Sequence, residues 1–335
     1  MDEASLDWTL FRPEPPLCTL IRFSDPHFGS SFVTRDEQWW RKGLPHLPVV
    51  NLLTGLFPHS YTYACALAAA FHQIVQHRQS RKVPVTVVHS GDLTSSGKQA
   101  EFSTGATFLA HGHYSDTNRL HGLGLDKYGL SGSLLDIPGN HDLWSRGDPK
   151  QALSFSTRYG GPYPRRLDTS AVVIYGMDSN RAPNAQHRRA NGEIPMDQLG
   201  ALLGMMRDDR KAGRVVIVTL HHPVQMTAES APKLAGKEIL FLKDRDKIAR
   251  SLRENGACVV LAGHVHQPQW TRATPGSPLQ YVAGSACQSG AKPQFWILDL
   301  YPDEVIHHSM VYPPNAVSFF PDPDTQGRAS FEVSP

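Results

Sequence analysis

The stretch Val83-Pro84-Val85-Thr86-Val87-Val88-His89-Ser90-Gly91-Asp92 decides how the chain folds. Apart from Pro84, residues 83 to 88 are a β-branched run with no polar alternation, the pattern of a strand covered on both faces. Gly91 and Asp92 end it abruptly. Apolar runs of similar length recur at Leu17 to Phe23, Leu134 to Ile137, Ala171 to Met177, Arg214 to Leu220 and Ala257 to Ala262. Between them lie segments with helical period: Ala64 to Arg78, Pro195 to Arg210 with proline at a first helical position, and Asp244 to Glu254. Strand alternating with helix predicts an α/β architecture with helices on the sheet faces. From Leu279 to Met310 three runs follow without helices (Leu279–Ala283, Phe295–Leu300, Val305–Met310), and a second sheet packed on the first would bury them.

No internal repeat or linker interrupts this order, so the expectation is a single domain over residues 1–312. It carries insertions at about 28–63 and 111–133. Residues 313–335, rich in Pro, Asp and Ser, form a tail expected to wrap the surface or to be mobile.

Five of the apolar runs end in polar clusters: Asp25-Pro26-His27, Gly91-Asp92, Gly139-Asn140-His141-Asp142, His221-His222-Pro223 and Gly263-His264-Val265-His266. In open α/β sheets the crevice beyond the carboxyl ends of the strands is where ligands bind, so five such ends should converge. Glycine before Asp92, Asn140 and His264 lets the backbone turn sharply. Carboxylate, imidazole and amide oxygen, with no thiolate, suit borderline divalent ions such as Mn, Fe, Zn or Co rather than a structural zinc site. A pair of ions needs a bridging ligand, which a carboxylate can be and an imidazole cannot; Asp92, alone between flanking ligand pairs, is the natural bridge.

The composition narrows the partners. With 33 Lys+Arg against 31 Asp+Glu, the formal charge of +2 gives no electrostatic reason to expect a nucleic-acid polymer or an anionic membrane. Met1 to Pro16 is acidic and proline-rich, and the longest apolar stretch, around Ala64 to Phe71, is too short to span a bilayer. A soluble, cytoplasmic enzyme is expected, with oligomeric state left open. Cys18, Cys65, Cys258 and Cys287 form no CxxC pair and read as unpaired thiols.

The ordered pattern DxH, GD, GNH[DE], H and GHxH resembles the calcineurin-like metallophosphoesterase family. It runs from Asp25 to His266, most of the chain. Gly91-Asp92-Leu93-Thr94 with Glu101-Phe102, the Gly192 to Leu199 segment and His221-His222-Pro223 are most similar to the bacterial class III cyclic-nucleotide phosphodiesterases. The resemblance implies a four-layer αββα sandwich, two packed mixed sheets flanked by helices, with a binuclear centre of two divalent or mixed-valence ions (Mn, Fe or Zn). Asp25, His27 and His266 would hold the first ion, Asn140, His221 and His264 the second, and Asp92 would bridge. His222 and Asp142 would support these ligands from behind. The ions would lower the pKa of a bridging water, giving hydroxide for in-line attack on phosphorus. Asn140 and His141 would face the substrate, His141 protonating the leaving group or steadying the charged oxygens.

One departure stands out: many relatives have Asp three residues after the bridging carboxylate, where it orients the catalytic histidine, and here that position is Ser95. His141 then needs Asp142 or another group in its place. Both insertions follow strand ends that carry site residues, so both could roof the site, and their aromatics, Trp39 and Tyr61 among them, could stack a nucleobase. His111, His113 and His121 read as solvated loop histidines, and Arg165-Arg166 and Arg188-Arg189 as surface charge. The leading expectation is hydrolysis of a small phosphodiester, with a cyclic nucleotide the best guess. A phosphomonoesterase or nucleotide pyrophosphatase using the same centre is the alternative, and a non-catalytic metal-binding scaffold the remaining one.

Overall fold

The computed structural model describes residues 14–29, 32–33, 59–115, 120–144, 148–169, 171–180, 191–227, 242–289 and 292–331. Its main elements, in chain order, are β1 (Cys18–Phe23), α1 (Tyr61–Ser80), β2 (Val85–His89), α2 (Gln99–Ala110), β3 (Leu134–Asp136), α3 (Pro149–Tyr159), β4 (Arg165–Asp168), β5 (Val172–Gly176), α4 (Met196–Lys211), β6 (Val215–Thr219), α5 (Arg245–Glu254), β7 (Val259–Ala262), β8 (Gln269–Thr271), β9 (Leu279–Val282), β10 (Gln294–Leu300), β11 (Glu304–Val311), β12 (Phe320–Pro321) and β13 (Gly327–Ser330).

Two mixed sheets account for the long strands. The first has the order β12-β11-β10-β1-β2-β3, with β13 also paired to β11; the second has the order β8-β9-β7-β6-β5-β4. In each, the strands that carry polar clusters run parallel: β1 with β2 and β2 with β3 in the first sheet, β6 with β7 in the second. Their carboxyl ends therefore emerge on one side.

Three apolar cores separate four layers. Between the sheets lie Leu20, Val88, Ile174, Ile217, Leu261 and Leu298, with Trp296 donating its indole N–H across to the Val282 carbonyl at 2.9 Å. Phe23, Val87, Phe71, Phe102 and Phe155 join the outer face of the first sheet to α1, α2 and α3. Val173, Val218, Val260, Leu202 and Leu252 join the second to α4 and α5. Alternate residues of one strand thus serve different cores, which is why these strands read as unbroken apolar runs. This is the αββα sandwich that the motif order implies.

The chain's last third departs from expectation. Its three runs do not make a sheet of their own: β9 joins the second sheet, beside β7, and β10 and β11 join the first, beside β1. The edges of β7 and β1 offer unpaired backbone N–H and C=O groups, and the runs are buried by extending both sheets there. Within the stretch expected as a tail, β12 and β13 both pair with β11. Helices α2 and α3 were not expected; α2 carries Ser, Thr and Gly through QAEFSTGATFLA, which obscures its apolar face. Pro195 is the N-cap of α4 rather than its first helical residue.

Most of the first insertion lies outside the described residues. Phe32–Val33 pairs in parallel with His59–Ser60. The second insertion includes a short antiparallel ribbon, His113–Ser115 with Leu120–His121, and buries Leu123, Leu125 and Leu130 in the core against α1. All four cysteines are free. Among the described residues no helix is long and apolar enough to cross a membrane.

Burial lowers the pKa of His307 and His308 on β11 from 6.5 to about 4, in His308 with added repulsion from Arg78 and His307. The unfolded chain binds these protons first, so stability is full above pH 6.5 and falls as pH drops toward 4. At about 1.4 kcal/mol per pKa unit, each ring costs up to ~3 kcal/mol. Urea midpoints should fall between pH 7.5 and 4.5, and less steeply in His308→Gln.

Candidate metal centre

The loops that follow the strands are tied together before any side chain meets another. Beyond β1 and β2, Asp25 N donates to the Gly91 carbonyl, His27 N to that of Asp92 and Phe28 N to that of Leu93, continuing the parallel ladder past the strand ends. In the second sheet, Gly263 N donates to the His221 carbonyl at 2.9 Å. His264 N donates to Asp25 Oδ2 at 3.1 Å and so joins the two sheets. Asp142 joins the remaining loops: its carboxylate accepts from Leu93 N, Thr94 N, the Thr94 hydroxyl and Gly139 N.

The loops hold unusual backbone. Asp25, His27, Asp92, His264 and His266 all have positive φ, between 51° and 72°. Left-handed non-glycine residues cost on the order of 1–3 kcal/mol each, and here they aim successive side chains to one side. The glycines do two different jobs. Gly91 has φ of +105°, the turn expected of it, but Gly139 and Gly263 are there for space. A Cβ on Gly139 would stand 2.1 Å from Asp92 Oδ1, and one on Gly263 2.0 Å from Ser24 Oγ.

Seven buried or nearly buried side chains converge on two adjoining pockets. In the first, His266 Nε2 lies 3.2 Å from Asp25 Oδ1 and 3.2 Å from His27 Nε2, and His27 Nε2 lies 3.6 Å from Asp92 Oδ2. In the second, Asn140 Oδ1 is 3.1 Å from His221 Nε2 and 3.0 Å from His264 Nδ1, and His221 Nε2 is 3.3 Å from Asp92 Oδ2. Asp92 belongs to both. Its Oδ1 accepts the His141 backbone N–H at 2.7 Å, which leaves Oδ2 between His27 and His221.

These separations fit divalent cations. Donors held about 2.1 Å from one ion stand ~3.0 Å apart in octahedral and ~3.4 Å apart in tetrahedral surroundings. The outer nitrogens fix the inner ones: His266 Nδ1 donates to Gln288 Oε1 at 2.8 Å and His221 Nδ1 to the Ser90 carbonyl at 2.8 Å. With a cation bound, each ring would be neutral and would present its Nε2 lone pair to that pocket, the arrangement that ligating histidines adopt. Lone pairs of nitrogen and oxygen facing one another at this range repel unless a cation or proton lies among them.

The electrostatics have the same cause. Burial alone would lift the Asp25 carboxyl, but the imidazoles of His266, His221 and His27 hold it well below the usual carboxylate range. Burial and neighbouring imidazoles push His27 and His264 well down. His221, despite burial, is raised to about 9 by the Asp92 carboxylate, and His266 is raised by Asp25. Those two rings take up positive charge that bound cations would otherwise bring.

His141 lies against this cluster, its ring 4.5 Å from that of His27, edge to face. Its Nδ1 donates to the backbone carbonyl of Ser95 at 2.9 Å. The residue whose side chain fails to supply a carboxylate thus supplies a main-chain acceptor, while its hydroxyl donates to the His27 carbonyl. Trp144 stacks on the imidazole, with ring centroids 3.7 Å apart. Burial lowers the His141 pKa, opposed by Asp92 and the Ser95 carbonyl. Asp142 takes no part in orienting the ring; it staples the loops.

His222 points away, its Nδ1 2.9 Å from Ser179 Oγ, with its ring packed on that of His264 at 4.4 Å. Tyr61 begins α1 and packs against the helical core. Trp39, Arg188 and Arg189 lie outside the described residues. Arg165 bonds to the Asp136 and Arg158 carbonyls, and Arg166 to Asp168 and Asp209, so neither is poised for a distant phosphate. Sequence reasoning missed Gln288, Trp144 and His59, none of which falls in a patterned cluster.

Gly139→Ala should displace Asp92 and Asn140 together. Misplacement of about 1 Å costs ~10²-fold in rate, so kcat/KM on an aryl phosphate ester should fall by at least that factor while circular dichroism stays unchanged.

Comparison with known proteins identifies the family. A family model described as calcineurin-like phosphoesterase matches residues 21–268. A cAMP/cGMP dual specificity phosphodiesterase of Mycobacterium tuberculosis is 26% identical over 250 residues, 69% of this chain and 68% of that protein. A probable cyclic nucleotide phosphodiesterase of Synechococcus sp. is 28% identical over 145 residues, 43% of this chain and 49% of that one. The match therefore spans about half of that relative's length. Among solved structures, a dimetal phosphatase from Danio rerio has the same fold with a TM-score of 0.55 at 12% identity, covering 95% of this chain and 100% of that one. The chain belongs to the calcineurin-like phosphoesterase family, hydrolases of phosphate esters that employ divalent metal ions.

Proposed function

We propose that the chain is a two-metal phosphodiesterase acting on a small phosphodiester, with a cyclic nucleotide as the preferred class. The observation that carries the two-ion reading is the position of Asp92 Oδ2 between His27 Nε2 and His221 Nε2, at 3.6 and 3.3 Å. One carboxylate oxygen shared by two donor sets is what two neighbouring ions require. Asp25, His27, His266 and Asp92 would hold one ion, and Asp92, Asn140, His221 and His264 the other. The diester reading draws on the two phosphodiesterase relatives.

Bound there, the ions supply an activated water and neutralise phosphate oxygens. The chain's own residues do the rest. Asp92 is kept from rotating by the His141 N–H, so its second oxygen stays on the shared edge. The Ser95 carbonyl can only accept, which keeps the proton on His141 Nδ1 and makes Nε2 the nitrogen that exchanges one. That nitrogen would deliver a proton to the leaving ester oxygen. The stacked Trp144 limits rotation of the ring and shields one face from water. Asn140 contributes its carbonyl oxygen to the second pocket and would turn its amide N–H toward the phosphate.

Protein stripped with chelator and reloaded with Mn should regain activity on bis-p-nitrophenyl phosphate and on cyclic AMP or GMP. The rate on p-nitrophenyl phosphate should be lower; monoester activity far above diester activity would sink the diester reading in favour of a phosphomonoesterase. Absence of turnover with Mn, Fe, Zn or Co would favour a binding scaffold.

Two variants test the assigned roles. Asp92→Ala should lose bound metal and nearly all activity with the fold retained. His141→Ala should keep its metal, measured by plasma mass spectrometry, and lose ~10²–10⁴-fold in kcat.

A further inference from the structure

A third imidazole stands beside the first pocket, and it comes from none of the five motifs. His59 is 1% exposed, in the short segment that precedes α1. Its ring centroid is 4.6 Å from that of His27 and 6.2 Å from that of His266. One nitrogen from each of the three rings lies within 4.8 Å of the other two. No other residue of the long segment between Asp25 and Asp92, outside the DxH motif, takes part in a metal-binding group among the described residues.

Several contacts fix it there. The backbone at His59 pairs in parallel with Phe32 on one side and forms an antiparallel bridge with Gln288 on the other. Ser60 N donates to the Cys287 carbonyl at 2.9 Å, and the Ser60 hydroxyl accepts from Thr62 N to cap α1. Gln288 therefore does two things: its side chain orients His266, and its main chain docks the strand that carries His59. A buried imidazole whose backbone is paired on both sides, lying against two rings already aimed into a pocket, has the setting of a ligand.

We propose that His59 is a fifth protein ligand of the ion held by Asp25, His27, His266 and Asp92. This rests on the two-ion reading above. Two ligands of one ion with bonds of about 2.1 Å lie at most ~4.2 Å apart, so the 4.8 Å limit closes with a small rotation of one side chain. Three imidazoles and two carboxylates favour Fe, Zn or Co over Mg or Mn at this position, because imidazole suits borderline ions. The second ion, with four protein ligands, becomes the more open of the two. An incoming phosphate oxygen would meet that ion first.

Cobalt-loaded protein gives a direct count. Each ligating histidine contributes one hyperfine-shifted, exchangeable ring N–H resonance, so His27, His59, His266, His221 and His264 should give five in the intact protein. His59→Ala should give one fewer. It should also bind one of its two ions at least ~10-fold more weakly by calorimetry, and His59→Gln should restore part of the loss.

Only four such resonances in the intact protein would overturn the assignment, even if the variant fails to fold. So would unchanged affinity for both ions in folded His59→Ala, including the case where activity falls and metal binding does not, which would put His59 on the substrate. Fewer than two ions bound by the intact protein would instead refute the two-ion reading itself.

Discussion

The centre depends on one carboxylate held from two directions. Asp92 gives Oδ1 to the His141 backbone N–H and presents Oδ2 where the two donor sets meet. Turning it by one rotamer would abandon both sets at once. Three nearby features prevent this. Gly139 lets the Asn140 loop approach to within a distance that a methyl group would forbid, Asp142 ties that loop to Leu93 and Thr94, and the His27 N–H binds the Asp92 carbonyl. The position of one oxygen is thus fixed from outside the donor sets, by main-chain contacts and by the Asp142 carboxylate.

The sandwich has a matching purpose. Each sheet alone offers an incomplete site: the first brings Asp25, His27, Asp92 and Asn140, the second His221, His264 and His266. Only their packing through the inter-sheet core brings the second set over the first, and the His264 N–H to Asp25 Oδ2 bond spans the seam. Loss of packing between the sheets would open both donor sets together. Five left-handed residues at the same place add strain, on the order of several kcal/mol in all. Cations binding only to the folded arrangement would offset it.

Much of this was legible from residues because both the fold and the site repeat a simple rule. Doubly covered strands read as unbroken apolar runs, and a candidate ligand follows where a run stops; Val85–His89 followed by Gly91-Asp92 states it in eight residues. What escaped had no such rule. The partnering of β9, β10 and β11 depends on which sheet edge remains uncovered, a long-range property that local pattern does not carry. Helix α2 hides its apolar face among Ser, Thr and Gly. His59 and Gln288 are single residues outside any cluster, brought to the pocket by a backbone bridge between segments more than two hundred positions apart. The reason for Gly139 and Gly263 was half visible: glycine was expected for turning, and it is needed for proximity.

Ser95 shows how a missing side chain can alter chemistry without leaving a hole. A carboxylate there would fix the tautomer of His141 and also raise its pKa through its charge. The Ser95 carbonyl does the first and, carrying only a dipole, does much less of the second, so burial prevails and the ring stays neutral by preference. Under the two-ion reading, a neutral His141 would put no competing positive charge beside the cations before substrate arrives. A phosphate ester bound beside this ring would bring negative charge near Nε2, and charge of that sign favours protonation of the ring. If His141 is the proposed acid, the proton for the leaving oxygen would be gathered when substrate binds, which would tie the acid's readiness to the presence of the group it serves.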